Sequence, residues 1–312
     1  MQRVLVLGAP RTATTWIGEA LGHADATAYV HEPDGVEDPF AFRAKRALAH
    51  HPVLEPGADA ADYARLWAGA FSGGAPAGTR ADRLARALFA RTTPEERRRA
   101  REGRGTSVRI QVVCRLARPR VAPAPPPAAV VVKSVHAALA ADWIVDRFAP
   151  RVVVTHRNPL NVMASWLELG FPNTAPSGHH AVVAEAHRRW GLTLPGHDAP
   201  PLERDSAYLG TLLCALHEHV ARHPDWIVVS HEAACVEPAS VLRELAARLG
   251  LVWGDAAEQF VAASDRPGHG WATQRVASTL SEKWRDQLDP AQVATIRATL
   301  ARFPYDLFEP PR

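Results

Sequence analysis

The chain has 312 residues, of which 47% are hydrophobic and 22% are charged, and this length allows a large core in one domain, with or without insertions. The net charge of +3 and the pI of about 9.0 suit an anionic ligand, and no basic patch with interleaved aromatic residues indicates an RNA partner. The three cysteines indicate neither a disulfide framework nor a zinc site.

The apolar stretch at 4–7 is too short for a signal peptide or a membrane span, and no later run is long enough. We therefore expect a cytoplasmic protein with no membrane or nucleic-acid partner. Nearly all of the 36 basic side chains are Arg, and this bias, with the abundant Ala, is typical of a GC-rich bacterial genome.

Apolar and β-branched runs predict five strands, at 3–7, 26–30, 130–134, 151–155 and 226–230. Helical patterns are predicted at 14–22, 80–90, 138–148, 159–168, 203–222, 238–249 and 289–302. Because strands that alternate with helices form parallel sheets, the sequence predicts an α/β protein with a parallel central sheet flanked by helices.

Two stretches interrupt this alternation. Residues 92–128 indicate an exposed charged helix and then an extended proline segment, either a solvated linker or a lid over an acceptor. Residues 171–201 contain several prolines and histidines, and they predict a loop-rich wall of an acceptor pocket.

The strongest functional signal is at 4–16, VLVLGAPRTATTW, where an apolar strand leads through a Gly/Pro turn into a helix. The turn and the helix N-terminus direct backbone N–H groups and a partial positive charge at one point. Arg11 can bind two oxygens, and three hydroxyls follow it, on Thr12, Thr14 and Thr15. The Lys-Ser/Thr pair of a Walker loop is missing, so we expect a phosphate site that needs no metal; the alternative is an ordinary turn capped by Thr.

Residues 10–16 resemble the 5′-phosphosulfate loop, Pro-(Lys/Arg)-(Ser/Thr)-Gly-Thr-(Thr/Ser), of sulfotransferases that use 3′-phosphoadenosine-5′-phosphosulfate (PAPS). The resemblance implies a P-loop-like sulfotransferase fold, as a single domain over 1–312 with insertions at about 92–128 and 171–201. Ala13 stands where Gly is usual, which matters only if that position needs a positive φ. It also implies that the cosubstrate is bound by Pro10, Arg11, Thr12, Ala13, Thr14, Thr15 and Trp16.

A second strand-turn-helix segment lies at 151–166. Its β-branched run is typical of a buried parallel strand, and Arg157 follows at the carboxyl end, where open α/β sheets bind ligands. The segment resembles the family's 3′-phosphate motif, R-(D/N)-P-x-(D/N)-x-x-x-S, which implies that Arg157 and Ser165 hold a 3′-phosphate. The alternative is a surface Arg and a helical Ser without a ligand.

Two adjacent residues, His31 and Glu32, are the candidates for the base that takes the acceptor proton. Glu32 is favoured because the family's Glu base follows the loop Arg at about this distance, and it needs a pKa raised by an apolar site. A structural Glu32 that holds Arg11 is the alternative.

Arg11 and Lys133 are the candidate cations for the oxygen that bridges phosphate and sulfuryl group. Lys133 ends an apolar strand in a chain with few lysines, although a solvated strand end is the alternative. His136 is a weaker candidate for the same cleft.

The segment 274–285 resembles the family's late nucleotide-binding loop and its Lys-Trp-Arg helix, without the G-x-x-G-x-x-K pattern of the cytosolic aryl and steroid enzymes. Arg275 is the candidate for a second 3′-phosphate contact, and Trp271 for the acceptor pocket or the core. Lys283, Trp284 and Arg285 either belong to that loop or cap and pack the last helix.

These features together predict a bacterial sulfotransferase that moves a sulfuryl group from PAPS, without a metal, to a hydroxyl or amine of a small molecule or sugar. Two alternatives stay open: a P-loop small-molecule kinase, and a nucleotide-binding protein without catalysis.

Overall fold

The computed structural model describes residues 1–35, 37–170, 176–196, 198–264 and 282–312. Within these ranges, one parallel sheet has the strand order β2-β3-β1-β4-β5. Its strands are β1 (Gln2–Leu7), β2 (Thr27–His31), β3 (Ala129–Ser134), β4 (Arg151–His156) and β5 (Ile227–Ser230). Each strand agrees with its prediction to within one residue at either end, which confirms the α/β class.

Helices cover both faces of the sheet. In chain order they are α1 (Thr14–Gly22), α2 (Pro39–Lys45), α3 (Ala61–Phe71), α4 (Arg80–Ala90), α5 (Pro94–Arg101), α6 (Val108–Leu116), α7 (Ala141–Phe148), α8 (Pro159–Leu169), α9 (Pro176–Trp190), α10 (Pro201–Arg222), α11 (His231–Val236), α12 (Pro238–Leu249), α13 (Asp255–Ser264), α14 (Trp284–Gln287) and α15 (Pro290–Leu300). A 3₁₀ turn, Ala138–Ala140, precedes α7.

The sheet separates two apolar clusters. Alternate residues of β1 face opposite sides, with Leu5 in the larger cluster and Val4 in the smaller one. Every residue of β3 is buried, as a strand covered by helices on both faces requires. The residues at the carboxyl ends of these strands are therefore held in place by a well-packed core.

Two expectations about the irregular stretches were wrong. The segment 108–116 is helix α6 and is not a solvated linker, because Ile110 and Val113 are fully buried against Phe42 and Phe89. The region 171–201 is not loop-rich throughout, since α9 fills Pro176–Trp190. Proline in the first turn is compatible with a helix, so Pro176 begins α9 without interrupting it.

The expected charged helix after residue 92 is α5, which starts with a capping box between Thr93 and Glu96. No helix in the described ranges combines the length and the apolarity that a bilayer crossing requires.

Candidate functional site

In the loop from β1 to α1, close contacts leave no room for a residue larger than glycine at position 8. A Cβ on Gly8 would lie 2.1 Å from Thr155 Oγ1 and 2.4 Å from Thr12 Oγ1. The Thr12 hydroxyl donates to the Ala9 carbonyl at 2.7 Å and lies 2.7 Å from the Thr155 hydroxyl. Thr12 is fully buried, so its side chain fastens the loop to β4.

The loop backbone turns through the left-handed region twice. Arg11 has φ 74° and Ala13 has φ 69°. Ala13 therefore occupies the conformation that favours glycine, at a cost of about 1–2 kcal/mol for an L-residue. Ala in place of the usual Gly therefore matters here, because this position has a positive φ.

The two threonines that open α1 have hydroxyls available for a ligand. Thr14 is buried and Thr15 is half-buried, and neither hydroxyl hydrogen-bonds to another residue in the part of the chain that the structure describes. Trp16 instead packs toward α13, where its indole N–H donates to Ser264 Oγ at 2.9 Å. The first turn of α1 thus has both free hydroxyls and a partial positive charge.

The second motif forms the turn between β4 and α8. Asn158 caps α8, accepting from the Leu160 N–H at 2.9 Å, and Pro159 occupies the first turn. Glu232 supports this turn, because its Oε1 accepts from the backbone N–H of Asn158 at 3.0 Å. Burial would raise the pKa of Glu232, but the neighbouring His231 imidazole and the backbone N–H groups together outweigh burial and lower the pKa to about 2.

The structure brings the two motifs into direct contact. Arg11 Nε–H donates to Ser165 Oγ at 2.9 Å. Arg157 Nη1–H donates to the carbonyl of Arg11 at 3.0 Å. The indole N–H of Trp166 donates to the carbonyl of Pro10 at 3.1 Å. Three hydrogen bonds therefore join α8 and its leading turn to the first loop.

This contact concentrates positive charge. Arg157 and Ser165 are each only 8% exposed, so the Arg157 guanidinium group is buried in the protein. Burial lowers the pKa of His231, and the charges of both Arg157 and Arg11 lower it further. Two guanidinium groups that act on one imidazole lie close together, and an anion is the ligand that offsets such a field.

A second group lies where β2 and β3 end. In the sheet register His31 pairs with Lys133, which places Glu32 beside the Lys133 side chain. Lys133 Nζ forms a hydrogen-bonded ion pair with Glu32 Oε1. His136 Nε2 lies 3.7 Å from Glu32 Oε2, and His31 Nε2 lies 4.0 Å from Oε1. Both oxygens of Glu32 therefore face nitrogen groups.

The Glu32 pKa moves in the opposite direction from the one expected. Burial would raise it, but the neighbouring His136 imidazole and the Lys133 ammonium together outweigh burial and hold it well below the usual range. The sequence analysis made a raised pKa the condition for Glu32 to act as the base, and the folded chain does not meet that condition. Glu32 is an ionised carboxylate, a protonation state that can accept a proton.

Lys133 is not a solvated strand end, because its side chain is 3% exposed. Burial lowers its pKa, and the Glu32 carboxylate opposes that shift. The stem has space because α1 carries Gly18 opposite it, where an added Cβ would lie 3.3 Å from Lys133 Cβ. His31 is half exposed, and burial and the Lys133 charge lower its pKa.

Sequence reasoning missed a buried group beneath this one. Asp34 is fully buried and accepts from Ser134 Oγ at 2.8 Å and from the Tyr63 hydroxyl at 3.2 Å. Lys45 Nζ donates to the Asp34 carbonyl at 2.7 Å, and burial lowers its pKa to about 8. Neither Asp34 nor Lys45 belongs to a recognisable sequence motif. Only the scarcity of lysine in this chain could have drawn attention to Lys45.

Part of the predicted site falls outside the described residues, namely Arg275 and Trp271. In the described segment that follows these residues, Lys283 Nζ donates to Glu168 Oε2 at 3.0 Å. The backbone N–H of Trp284 donates to Asn161 Oδ1 at 3.2 Å, so this segment packs on α8.

Taken together, the described structure is an α/β protein whose parallel sheet carries paired basic and acidic groups along its carboxyl edge. No family model matches the sequence. No curated protein matches it either.

Solved structures similar to this chain include three sulfotransferases. The sulfotransferase domain of the olefin synthase of Synechococcus PCC 7002 is 14% identical, with a TM-score of 0.45 over 98% of this chain and 95% of that chain. A sulfotransferase domain from the curacin biosynthetic pathway is 10% identical, with a TM-score of 0.47 over 96% of this chain and 97% of that chain. Sulfotransferase STF1 of Mycobacterium tuberculosis H37Rv is 16% identical, with a TM-score of 0.42 over 96% of this chain and 76% of that chain.

Proposed function

We propose that this chain is a sulfotransferase that moves a sulfuryl group from PAPS to a hydroxyl or amine of a small-molecule or carbohydrate acceptor. The observation that carries the proposal is the contact between the two phosphate-type motifs, in which Arg157 donates to the Arg11 carbonyl and Arg11 donates to Ser165. Two anion sites built next to each other suit one ligand with two phosphate groups.

In this proposal the first loop holds the 5′-phosphosulfate. Backbone N–H groups at the start of α1, the hydroxyls of Thr14 and Thr15, and the Arg11 guanidinium supply the donors. Arg157 and Ser165 hold the 3′-phosphate, so that Ser165 exchanges its Arg11 partner for a phosphate oxygen.

Transfer needs a cation at the leaving oxygen and an acceptor for the proton. Lys133 supplies the cation and Glu32 the acceptor, because they lie at the ends of adjacent strands at the same edge as the loop. An anionic donor that draws Lys133 toward itself removes positive charge from Glu32. The pKa of Glu32 then rises, and the carboxylate becomes a stronger base at the moment when the acceptor is bound.

Calorimetric titration with 3′,5′-adenosine bisphosphate, with 5′-AMP and with Mg²⁺-ATP tests the assignment. We expect the bisphosphate to bind much more tightly than AMP, because only it reaches Arg157 and Ser165. Tighter binding of Mg²⁺-ATP would instead indicate a kinase, and bisphosphate binding without transfer to any acceptor in a screen would indicate a binding protein.

The variant Arg157→Ala isolates the 3′-phosphate contact. Loss of a charge-assisted hydrogen bond costs about 1.5–3 kcal/mol, so we expect bisphosphate affinity to fall by about 10- to 150-fold and AMP affinity to change little. Arg99→Ala, at an exposed position on α5, is the matched control. An equal loss for AMP and for the bisphosphate would remove Arg157 from the 3′-phosphate site.

A further inference from the structure

Three histidines gather next to the candidate base. His50 and His51 follow α2, and His136 follows β3. One ring nitrogen of each lies within 4.8 Å of a ring nitrogen of the other two, and in the described ranges no other set of three or more potential metal ligands is this compact. The ring centroids are 4.6–5.5 Å apart.

Two of these rings have a buried nitrogen with no hydrogen-bond partner. His51 is 1% exposed and His136 is 8% exposed, and Nδ1 of each is buried and unpartnered. Buried polar atoms in folded proteins are nearly always hydrogen-bonded. One ligand bound by both Nδ1 atoms would satisfy these two groups.

The opposite nitrogens of the same rings do have polar neighbours. His51 Nε2 is hydrogen-bonded to the Tyr208 hydroxyl. His136 Nε2 lies 3.7 Å from the Glu32 carboxylate. A histidine that binds a metal through one nitrogen characteristically gives the other to a carboxylate or another polar group, which fixes its tautomer and orientation.

Burial disfavours the protonated form of two of these three imidazoles. Burial lowers the pKa of His50 and of His51 well below the ordinary value, and their neighbours' charges add to this shift. Neutral imidazole is the form that binds metals. His50 is half-buried, which leaves an approach from solvent.

We propose that His50, His51 and His136 form a binding site for one divalent transition-metal ion, with Zn²⁺ the best suited, and that water or a ligand takes the fourth position. Zinc holds histidine nitrogens at about 2.0–2.1 Å, so tetrahedral neighbours are about 3.4 Å apart, and nitrogens that lie within 4.8 Å of one another move closer together when they bind the ion. Metal binding can be measured without sulfuryl transfer, although His136 lies 3.7 Å from the carboxylate of Glu32, the candidate base.

The test uses the full-length, chelator-treated chain without an affinity tag, titrated with ZnSO₄ and separately with CoCl₂. We expect one ion per chain, an increase in Tm with Zn²⁺, and visible absorption of four-coordinate Co²⁺. His50→Asn and His51→Asn should weaken Zn²⁺ binding at least tenfold and remove the Co²⁺ absorption. His187→Asn, at an exposed position on α9, should bind as the wild type does.

His50→Asn keeps the test decisive if the buried His51 variant does not fold, because His50 lies at a partly open position. Zinc binding that is absent from the wild type, or that is equal in the wild type and His50→Asn, would overturn the proposal. None of these readings uses enzyme activity, so they are separate from the test of the proposed function.

Discussion

Three residues of the candidate site have left-handed backbones, Arg11 with φ 74°, Ala13 with φ 69° and Glu32 with φ 36°. Such conformations cost a non-glycine residue of the order of 1–3 kcal/mol each and persist where the surroundings impose them. At Arg11 the imposing contact is the hydrogen bond from Arg157 to its carbonyl. At Glu32 it is the backbone hydrogen bond from its N–H to the Lys133 carbonyl, at 2.8 Å. Of the five non-glycine residues with positive φ in the described ranges, these three thus lie in the candidate site, and Ala26 and Ala149 lie outside it.

Glu32→Gln tests the base directly. The amide keeps the shape but cannot accept the proton, so we expect turnover to fall by about 10²–10⁴-fold while bisphosphate affinity stays nearly unchanged. Steady-state turnover and calorimetry measure the two quantities, and a melting curve checks the fold. His31→Asn is the matched variant for the other candidate, and a larger loss there than in Glu32→Gln would make His31 the base.

The pH profile separates the same two candidates. Because the pKa of Glu32 is held well below its usual range, the carboxylate stays ionised and gives no acid-side fall of kcat/KM between about pH 5 and 8. The pKa of His31 is lowered from 6.5, so a His31 base would lose activity as the pH falls through that lower value. An acid-side fall that persists in Glu32→Gln and vanishes in His31→Asn would contradict the Glu32 assignment.

At the scale of secondary-structure elements, the strands were predictable because each is a short apolar or β-branched run. The helices α2, α3, α6, α11 and α13 were not, and two of them are very short, since α2 has seven residues and α11 has six. Helix α9 was mistaken for loop because prolines flank it. Prolines before and within the first turn delimit a helix and do not exclude it.

The two phosphate-type motifs of the site were predictable from local sequence, whereas the contacts between residues distant along the chain were not. Glu32 and Lys133 become neighbours through the register of β2 on β3, and Gly8 meets Thr155 only because β1 lies beside β4. His50, His51 and His136 follow no metal-binding spacing along the chain. Such contacts depend on strand order, which the order of residues along the chain does not state.

The contact between β1 and β4 makes Gly8→Ala a test of the loop. The added methyl would overlap the hydroxyls of Thr155 and Thr12, so we expect a loss of about 1–3 kcal/mol in the free energy of unfolding and weaker bisphosphate binding. Gly78→Ala is the control, because no heavy atom lies within 4 Å of its added Cβ. Urea unfolding measures both variants, and equal stability for the two would mean that the loop can adjust around the methyl group.

At the scale of the whole molecule, buried carboxylates set how stability depends on pH. Glu32, Asp142 and Glu232 have lowered pKa values, since hydrogen bonds and basic neighbours outweigh their burial. Each contributes stability that is present above its unfolded pKa and is lost as the pH falls through its folded pKa. These groups predict unfolding in acid.

Asp205 on α10 acts in the opposite direction. Burial raises its pKa from 3.8 to about 6, and its Oδ1 is buried with no hydrogen-bond partner. The folded state then binds the proton more tightly than the unfolded state, so this residue's contribution to stability is present below the unfolded pKa and is lost as the pH rises from about 4 to 6. A difference of about two pKa units corresponds to on the order of 3 kcal/mol.

Asp205→Asn removes this titration and keeps the shape of the side chain. We expect the variant to be more stable than the wild type at pH 8, by up to about 3 kcal/mol, because the wild type must bury a charged carboxylate there. As the pH falls toward 4, wild-type Asp205 becomes protonated in the folded state and increasingly so in the unfolded state, so most of this advantage should disappear. Urea unfolding of both proteins from pH 4 to 8 measures the difference between their free energies of unfolding. The contributions of the other carboxylates are the same in both proteins and cancel in this difference. A difference that does not change with pH would show that Asp205 titrates alike in the folded and unfolded chains.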